Sequence, residues 1–190
     1  MIPIILVVGS HNDEDSEVHK AKCETVAGLL VKQRVHLLTG GGPGVMAKVS
    51  QFFVEHPERT RGQCCLGVSP CEENKPSEKK KRYPNRWVEI PISTQLPGKT
   101  NGVDTPKDSN SRNHINVLTA SAVIGLPGGK GTLAEIELAV EYERPRVTAL
   151  DRADQIEGLP KSKFKDKILN VGEDKLDEFL KAKLPVFTSP

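Results

Sequence analysis

The residues of this chain best suited to chemistry fall in two short turns, Thr39-Gly-Gly-Gly-Pro-Gly-Val-Met46 and Pro127-Gly-Gly-Lys-Gly-Thr132. Each turn separates an apolar run from a segment of helical periodicity. Glycine at such a corner permits positive φ and brings backbone N–H groups close to a ligand, and the following helix N-terminus adds partial positive charge. That combination suits a phosphate. Neither GxGxxG nor GxxxxGK[ST] is present, and one glycine corner alone is explained by steric need. Two in one short chain point to a phosphorylated small molecule. The binding candidates are Gly40, Gly41, Gly42, Gly44 and Met46 in the first turn and Gly128, Gly129, Lys130, Gly131 and Thr132 in the second. Lys130 either adds charge for an anion or is simply a solvated loop lysine.

Two charged residues stand near the second turn. Glu135 follows Thr132 by three positions, so with Thr132 as N-cap the pair reads as a capping box. The same carboxylate lies within a turn of any phosphate held by the loop, and both readings stand. Arg112 opens the segment before the apolar run Ala122 to Leu126, a cation where the helix dipole favours an anion. Taken alone, it also reads as a surface arginine.

The elements that must position these residues alternate between strand and helix. Pro3 to Gly9 is a continuous apolar run, as expected of a strand buried on both faces of a parallel sheet. An amphipathic helix over Asp13 to Gln33 leads to a strand at Val35 to Thr39, and the first glycine turn leads into a helix at about Val45 to Glu55. Strands follow at Gln63 to Ser69 and Trp87 to Ile92. Glu72 to Arg82 is charged and reads as an exposed loop, and Pro97 to Ser111 as a long polar connection. A helix at Asn113 to Thr119, a buried strand at Ala122 to Leu126, a helix at Leu133 to Tyr142 and a strand at Val147 to Leu150 complete the series, with one or two helices expected between Ser162 and Lys183. The pattern predicts an α/β fold in three layers: a doubly wound, mostly parallel sheet with helices on both faces, in one domain over residues 1–190 with the motifs in about 1–150.

Composition narrows the function classes. The 190 residues carry 27 Lys+Arg against 25 Asp+Glu, and the sequence pI of about 8.3 is below that of a typical nucleic-acid-binding domain. Aromatics at 4% are too few for a row of base-stacking platforms. No nucleic-acid partner is expected. No apolar run is long enough for a membrane helix, and Met1 to Gly9 lacks the flanks of a secretory signal, so no membrane partner and a cytoplasmic location are expected. Cys23, Cys64, Cys65 and Cys71 have neither CxxC nor zinc-ligand spacing. They read as buried or half-buried free thiols, with no metal and no cofactor.

The paired motifs GGGPGVM (Gly40 to Met46) and PGGKGTLAE (Pro127 to Glu135) resemble the LONELY GUY (LOG) family of Rossmann-like nucleotide-binding proteins. Gly9-Ser10 is similar to that family's first strand-end turn, and the resemblance extends to about Leu150. It implies hydrolysis of the N-glycosidic bond of nucleoside 5′-monophosphates to a free base and ribose 5-phosphate. Arg112 and Glu135 would be the catalytic pair. The PGGKGT loop would hold the phosphate, and the GGGPG loop, with Ser10 nearby, would line the nucleoside side. The chemistry is coherent, because a carboxylate near the ribose stabilises an oxocarbenium-like state. The run Arg112-Asn113 with Ile115-Asn116-Val117 also resembles the molybdenum cofactor carrier proteins, which implies ligand binding without turnover. The apolar surround of the Leu133 to Tyr142 helix, with the family resemblance, implies a homodimer.

Overall fold

The computed structural model describes residues 2–72, 75–79, 81–98, 111–150, 153–159, 169–170 and 173–184. Along the chain, β1 (Ile4–Val8) leads to α1 (Asp13–Val18), α2 (Lys20–Lys32) and β2 (His36–Thr39), then α3 (Val45–Val54) and β3 (Cys65–Ser69). A short pair, β4 (Cys71–Glu72) and β5 (Lys75–Lys79), precedes β6 (Ile90–Ser93), α4 (Asn113–Thr119), β7 (Ala122–Gly125) and α5 (Lys130–Glu141). After β8 (Arg146–Thr148) come a 3₁₀ turn at Ala153–Gln155, β9 (Leu169–Asn170) and α6 (Glu173–Lys183).

Seven strands form one sheet in the order β6-β3-β2-β1-β7-β8-β9, with every pairing parallel. The chain moves outward from β1 to β6 and then returns to lay β7 on the other side of β1, with Ile5 opposite Ala122 and Val8 opposite Gly125. Strand order therefore reverses between β1 and β7, and in doubly wound sheets the ligand crevice opens beyond the carboxyl ends of such strands.

Successive side chains of a strand point to opposite faces, so β1 feeds two cores. Ile5 and Val7 join Val26, Leu30, Val49, Phe53 and Leu176 under α2, α3 and α6. Leu6 and Val8 join Val117, Ile136, Leu138 and Ile156 under α4 and α5. The three-layer α/β expectation is met.

Several expectations at finer grain change. The predicted first helix breaks at His19 into α1 and α2. Part of the predicted charged loop at 72–82 forms the antiparallel ladder of β4 and β5, because backbone pairing does not require apolar side chains. Helix α5 begins at Lys130, ahead of Leu133. The tail contributes a strand, β9, as well as α6. Most of the Pro97 to Ser111 connection, 99–110, lies outside the described residues. All four cysteines are free; Cys23, Cys65 and Cys71 are buried and Cys64 is half-buried. Among the described residues no helix is long and apolar enough to cross a membrane, and no cluster of metal-ligating side chains occurs.

Candidate functional site

Three helix N-termini meet at the carboxyl ends of β1, β2 and β7, and local sequence decides which can receive an anion. Helix α1 is capped by the Asn12 side chain and opens with Asp13, Glu14 and Asp15, so its first turn is already negative. The Arg82 guanidinium, hydrogen-bonded to Asp13, holds that carboxyl below the usual range. Helix α3 follows Gly44, whose φ of 69° and close fit against the backbone of residues 10–12 exclude a side chain. Its first amide, of Val45, donates to the Ser10 carbonyl at 2.8 Å. Helix α5 differs. Gly129 is its N-cap and no side chain caps it, so the amides of Lys130, Gly131 and Thr132 form an uncapped first turn.

This geometry corrects the capping-box reading. Thr132 is the third residue of α5 and Glu135 the sixth, so Glu135 stands in the second turn and cannot reciprocate a cap. Side chains on a helix lean toward its N-terminus, which aims Glu135 back toward the first-turn amides.

Arg112 is brought to Glu135 by α4, which packs against α5. The two side chains are 7% and 9% exposed, with Arg112 Nη1 3.6 Å from Glu135 Oε1. Asn116, one turn after Arg112 and fully buried, donates from Nδ2 to the same oxygen at 2.8 Å. The guanidinium lies across Gly40, where a Cβ would stand 2.4 Å from Nη1. It also borders the same cavity as Tyr83, whose phenol pKa is pushed up by burial. Arg112 Nε and Nη1 have no hydrogen-bond partner among the described residues.

A cavity of about 570 Å³ opens between these groups. Of the sequence candidates, Arg112, Glu135, Gly129, Lys130, Gly131 and Thr132 line it, together with Ser10 and Met46. Gly40, Gly41, Gly42, Gly44 and Gly128 lie behind the wall, not on it. Gly40 supports Arg112, Gly42 faces the Tyr83 hydroxyl, and Gly128 fits against Thr132 Oγ1 and the Ser10 amide. Gly41, with φ of 70°, receives the Asn85 amide on its carbonyl at 2.7 Å. Ser10 clasps the two turns: its amide donates to the Pro127 carbonyl at 3.0 Å and its hydroxyl to Asp15.

The sequence reading missed Pro43, Pro70, Tyr83 and Glu157 in the cavity wall, and Asn116 behind Glu135. Asn116 was within reach, because positions 112 and 116 share a helix face. Tyr83 carried no such signal, since only the fold brings it beside Arg112.

Known proteins supply the wider context. The chain is 27% identical to an uncharacterized protein of Archaeoglobus fulgidus over 132 residues, 70% of this chain and 71% of that one. Its structure resembles the molybdenum cofactor binding protein from the phototrophic bacterium Rippkaea orientalis, with 25% identity, a TM-score of 0.72, and coverage of 96% of this chain and 97% of the other. It also shares its fold with DNA processing protein A from Helicobacter pylori, described by its single-stranded DNA binding mode, at 16% identity and TM-score 0.64, over 96% of this chain and 82% of that one. The fold by itself therefore does not exclude a nucleic-acid partner, whatever the overall charge. The model of the SLOG cluster4 family matches residues 2–176, nearly the whole chain, and the protein belongs to the SLOG cluster4 family.

Proposed function

We propose that the protein is a nucleoside 5′-monophosphate phosphoribohydrolase. The carrying observation is the buried pairing of Arg112 with Glu135, 3.6 Å apart, in the wall of a cavity that also exposes the uncapped first turn of α5. A phosphate on the amides of Lys130 to Thr132 is favoured by the helix dipole. Glu135 lies three to five residues further on, roughly 5–8 Å along the axis, the span from a 5′-phosphate to the ribose ring. Its carboxylate then faces the positive charge that develops as the bond from C1′ to the base nitrogen breaks. Water adds its oxygen to C1′ and yields a proton to Glu135. The base leaves with the bonding pair and takes a proton from solvent, to which Glu135 returns the one it received. Arg112 places a counter-charge 3.6 Å from Glu135, and no step requires a metal.

The test is incubation with AMP, CMP, GMP and isopentenyladenosine monophosphate, followed by assay for free base. Release from one of them supports the reading, and none from folded protein removes it. The likeness to a molybdenum cofactor binding protein, together with Asn113 after Arg112, favours a second reading as a binding protein without turnover. It calls for a Tm that rises with ligand concentration and no product. Either reading takes a phosphorylated small molecule, with no nucleic acid or membrane partner, in the cytoplasm. A homodimer belongs to this proposal through family resemblance, and light scattering at micromolar concentration measures it. The apolar surround of α5 no longer argues for it, because Ile136, Leu138 and Ala139 are buried, and Leu133 and Val140 partly so, within this chain.

A further inference from the structure

The cavity has two chemically distinct walls. One is polar: the first turn of α5 with Lys130, and Arg112 beside Glu135. The other carries Pro43, Met46, Pro70 and Tyr83, which come from the β2–α3 turn, the start of α3, the end of β3 and the segment before β6, with Lys81 and Arg82 beside Tyr83 at its margin. Phosphate and ribose account for the polar wall and leave the apolar one without a partner. Pocket surfaces that pair an apolar wall with a few fixed polar groups recognise ligands with a flat apolar part and a polar tail.

Tyr83 is the feature of this wall that is built rather than incidental. It is half-buried, and its hydroxyl end packs over Gly42, where a Cβ would come within 2.6 Å of that oxygen, so only glycine there leaves room for the ring. An aromatic ring already packed against the chain on one side loses little freedom when a second ring packs on it, so the contact is pre-organised. The ring borders the same cavity as Arg112, whose side chain is more than nine-tenths buried and keeps two N–H groups without a hydrogen-bond partner among the described residues.

We propose that Tyr83 is a specificity-determining residue: with Met46 and the two prolines it holds the planar heterocycle that is joined to the phosphate tail. The inference rests on the phosphoryl-ligand reading above but not on turnover. Its test therefore uses 9-deaza-AMP, whose carbon–carbon glycosidic bond cannot be hydrolysed, beside ribose 5-phosphate, with both affinities measured by calorimetry on the full chain.

The wild type should bind 9-deaza-AMP at least tenfold more tightly than ribose 5-phosphate. Tyr83→Leu should abolish most of that preference while changing ribose 5-phosphate affinity by less than about threefold, in line with the strength of base–aromatic stacking. Tyr83→Phe keeps the ring and should keep the preference. Because Tyr83→Leu could fail to fold, a second measurement uses the wild type. The chain has two tyrosines, so ring-labelled tyrosine gives two spin systems, and Tyr83→Phe identifies one of them. An NOE from the base protons of 9-deaza-AMP to the Tyr83 ring supports the proposal, and its absence with ligand bound overturns it. Equal binding of the two ligands by wild type, or parallel loss of both in Tyr83→Leu, also overturns it and leaves the phosphate site standing. Binding of neither ligand ends both readings, whereas a tenfold preference without base release from AMP removes only hydrolysis.

Discussion

Glu135 and Arg112 form a buried ion pair whose charges depend on each other. Glu135→Gln should lower base release by two or more orders of magnitude, about 3 kcal/mol or more of barrier, while phosphate binding through the α5 amides persists. Single-turnover kinetics on the variant checks this. The same change leaves the Arg112 cation buried without its counter-charge, and breaking a buried pair costs about 3–5 kcal/mol in other proteins. The Tm of Glu135→Gln should therefore fall, and adding Arg112→Met should restore much of it, as read by thermal denaturation. A capping role would produce neither effect. Gly40→Ala probes the support of the arginine: its Cβ would stand 2.4 Å from Nη1, so the guanidinium must move. It should lose activity and keep a folded spectrum.

At the scale of elements, α5 is a helix without a side-chain cap whose first turn lines the cavity. Beyond its chain neighbours and its own helix backbone, Gly131 has no atom within 4 Å of the place its Cβ would occupy among the described residues, and it lines the cavity. Gly131→Ala should stabilise the helix by about 0.5–1 kcal/mol, because alanine has the better propensity. It should also weaken binding of ribose 5-phosphate, because the new methyl enters the space assigned to the phosphate. A thermal shift upward together with weaker binding in calorimetry would identify the cradle; unchanged binding would move the phosphate elsewhere. Gly44 is the contrasting case. With φ of 69° and the His11 carbonyl carbon 2.5 Å from its Cβ position, Gly44→Ala should destabilise the junction of α1 and α3 by at least about 1–3 kcal/mol.

For the whole molecule, the two cores on either side of the sheet make a prediction about alkali. Burial pushes the Cys23 thiol up to about 12 and the Cys65 thiol up to about 11, from an ordinary value of 9.0. Above pH 9 the unfolded chain loses these protons while the native chain retains them, so stability falls as pH rises. The slope reaches about 1.4 kcal/mol per pH unit for each thiol, up to pH 11 for Cys65 and pH 12 for Cys23. Urea unfolding between pH 8 and 11 measures it, and Cys23→Ala should flatten the slope. Near pH 8, alkylation of native protein should label half-buried Cys64 before Cys23 and Cys65.

The fold class was legible in the sequence because its signals are local. The unbroken apolar run of β1, the helical periodicity of α2 and the glycines at two strand ends each act within one element and its neighbour, and together they predict a parallel sheet and a phosphate corner. The Asn113–Thr119 helix matched for the same reason. Tertiary structure decided what depends on meetings across the chain. Charge at the start of α1 and the bond from the Val45 amide of α3 to the Ser10 carbonyl leave α5 as the N-terminus that faces the cavity with its first amides untaken among the described residues. The glycines at 40 and 42 proved to be supports for Arg112 and Tyr83, because a missing Cβ can admit a neighbouring side chain as readily as a ligand, and sequence does not say which. Tyr83 and Arg112 are 29 positions apart, and only the return of the chain from the sheet edge to β7 brings them together. A contact of that kind has no periodicity to betray it; it exists only once strand order has been set.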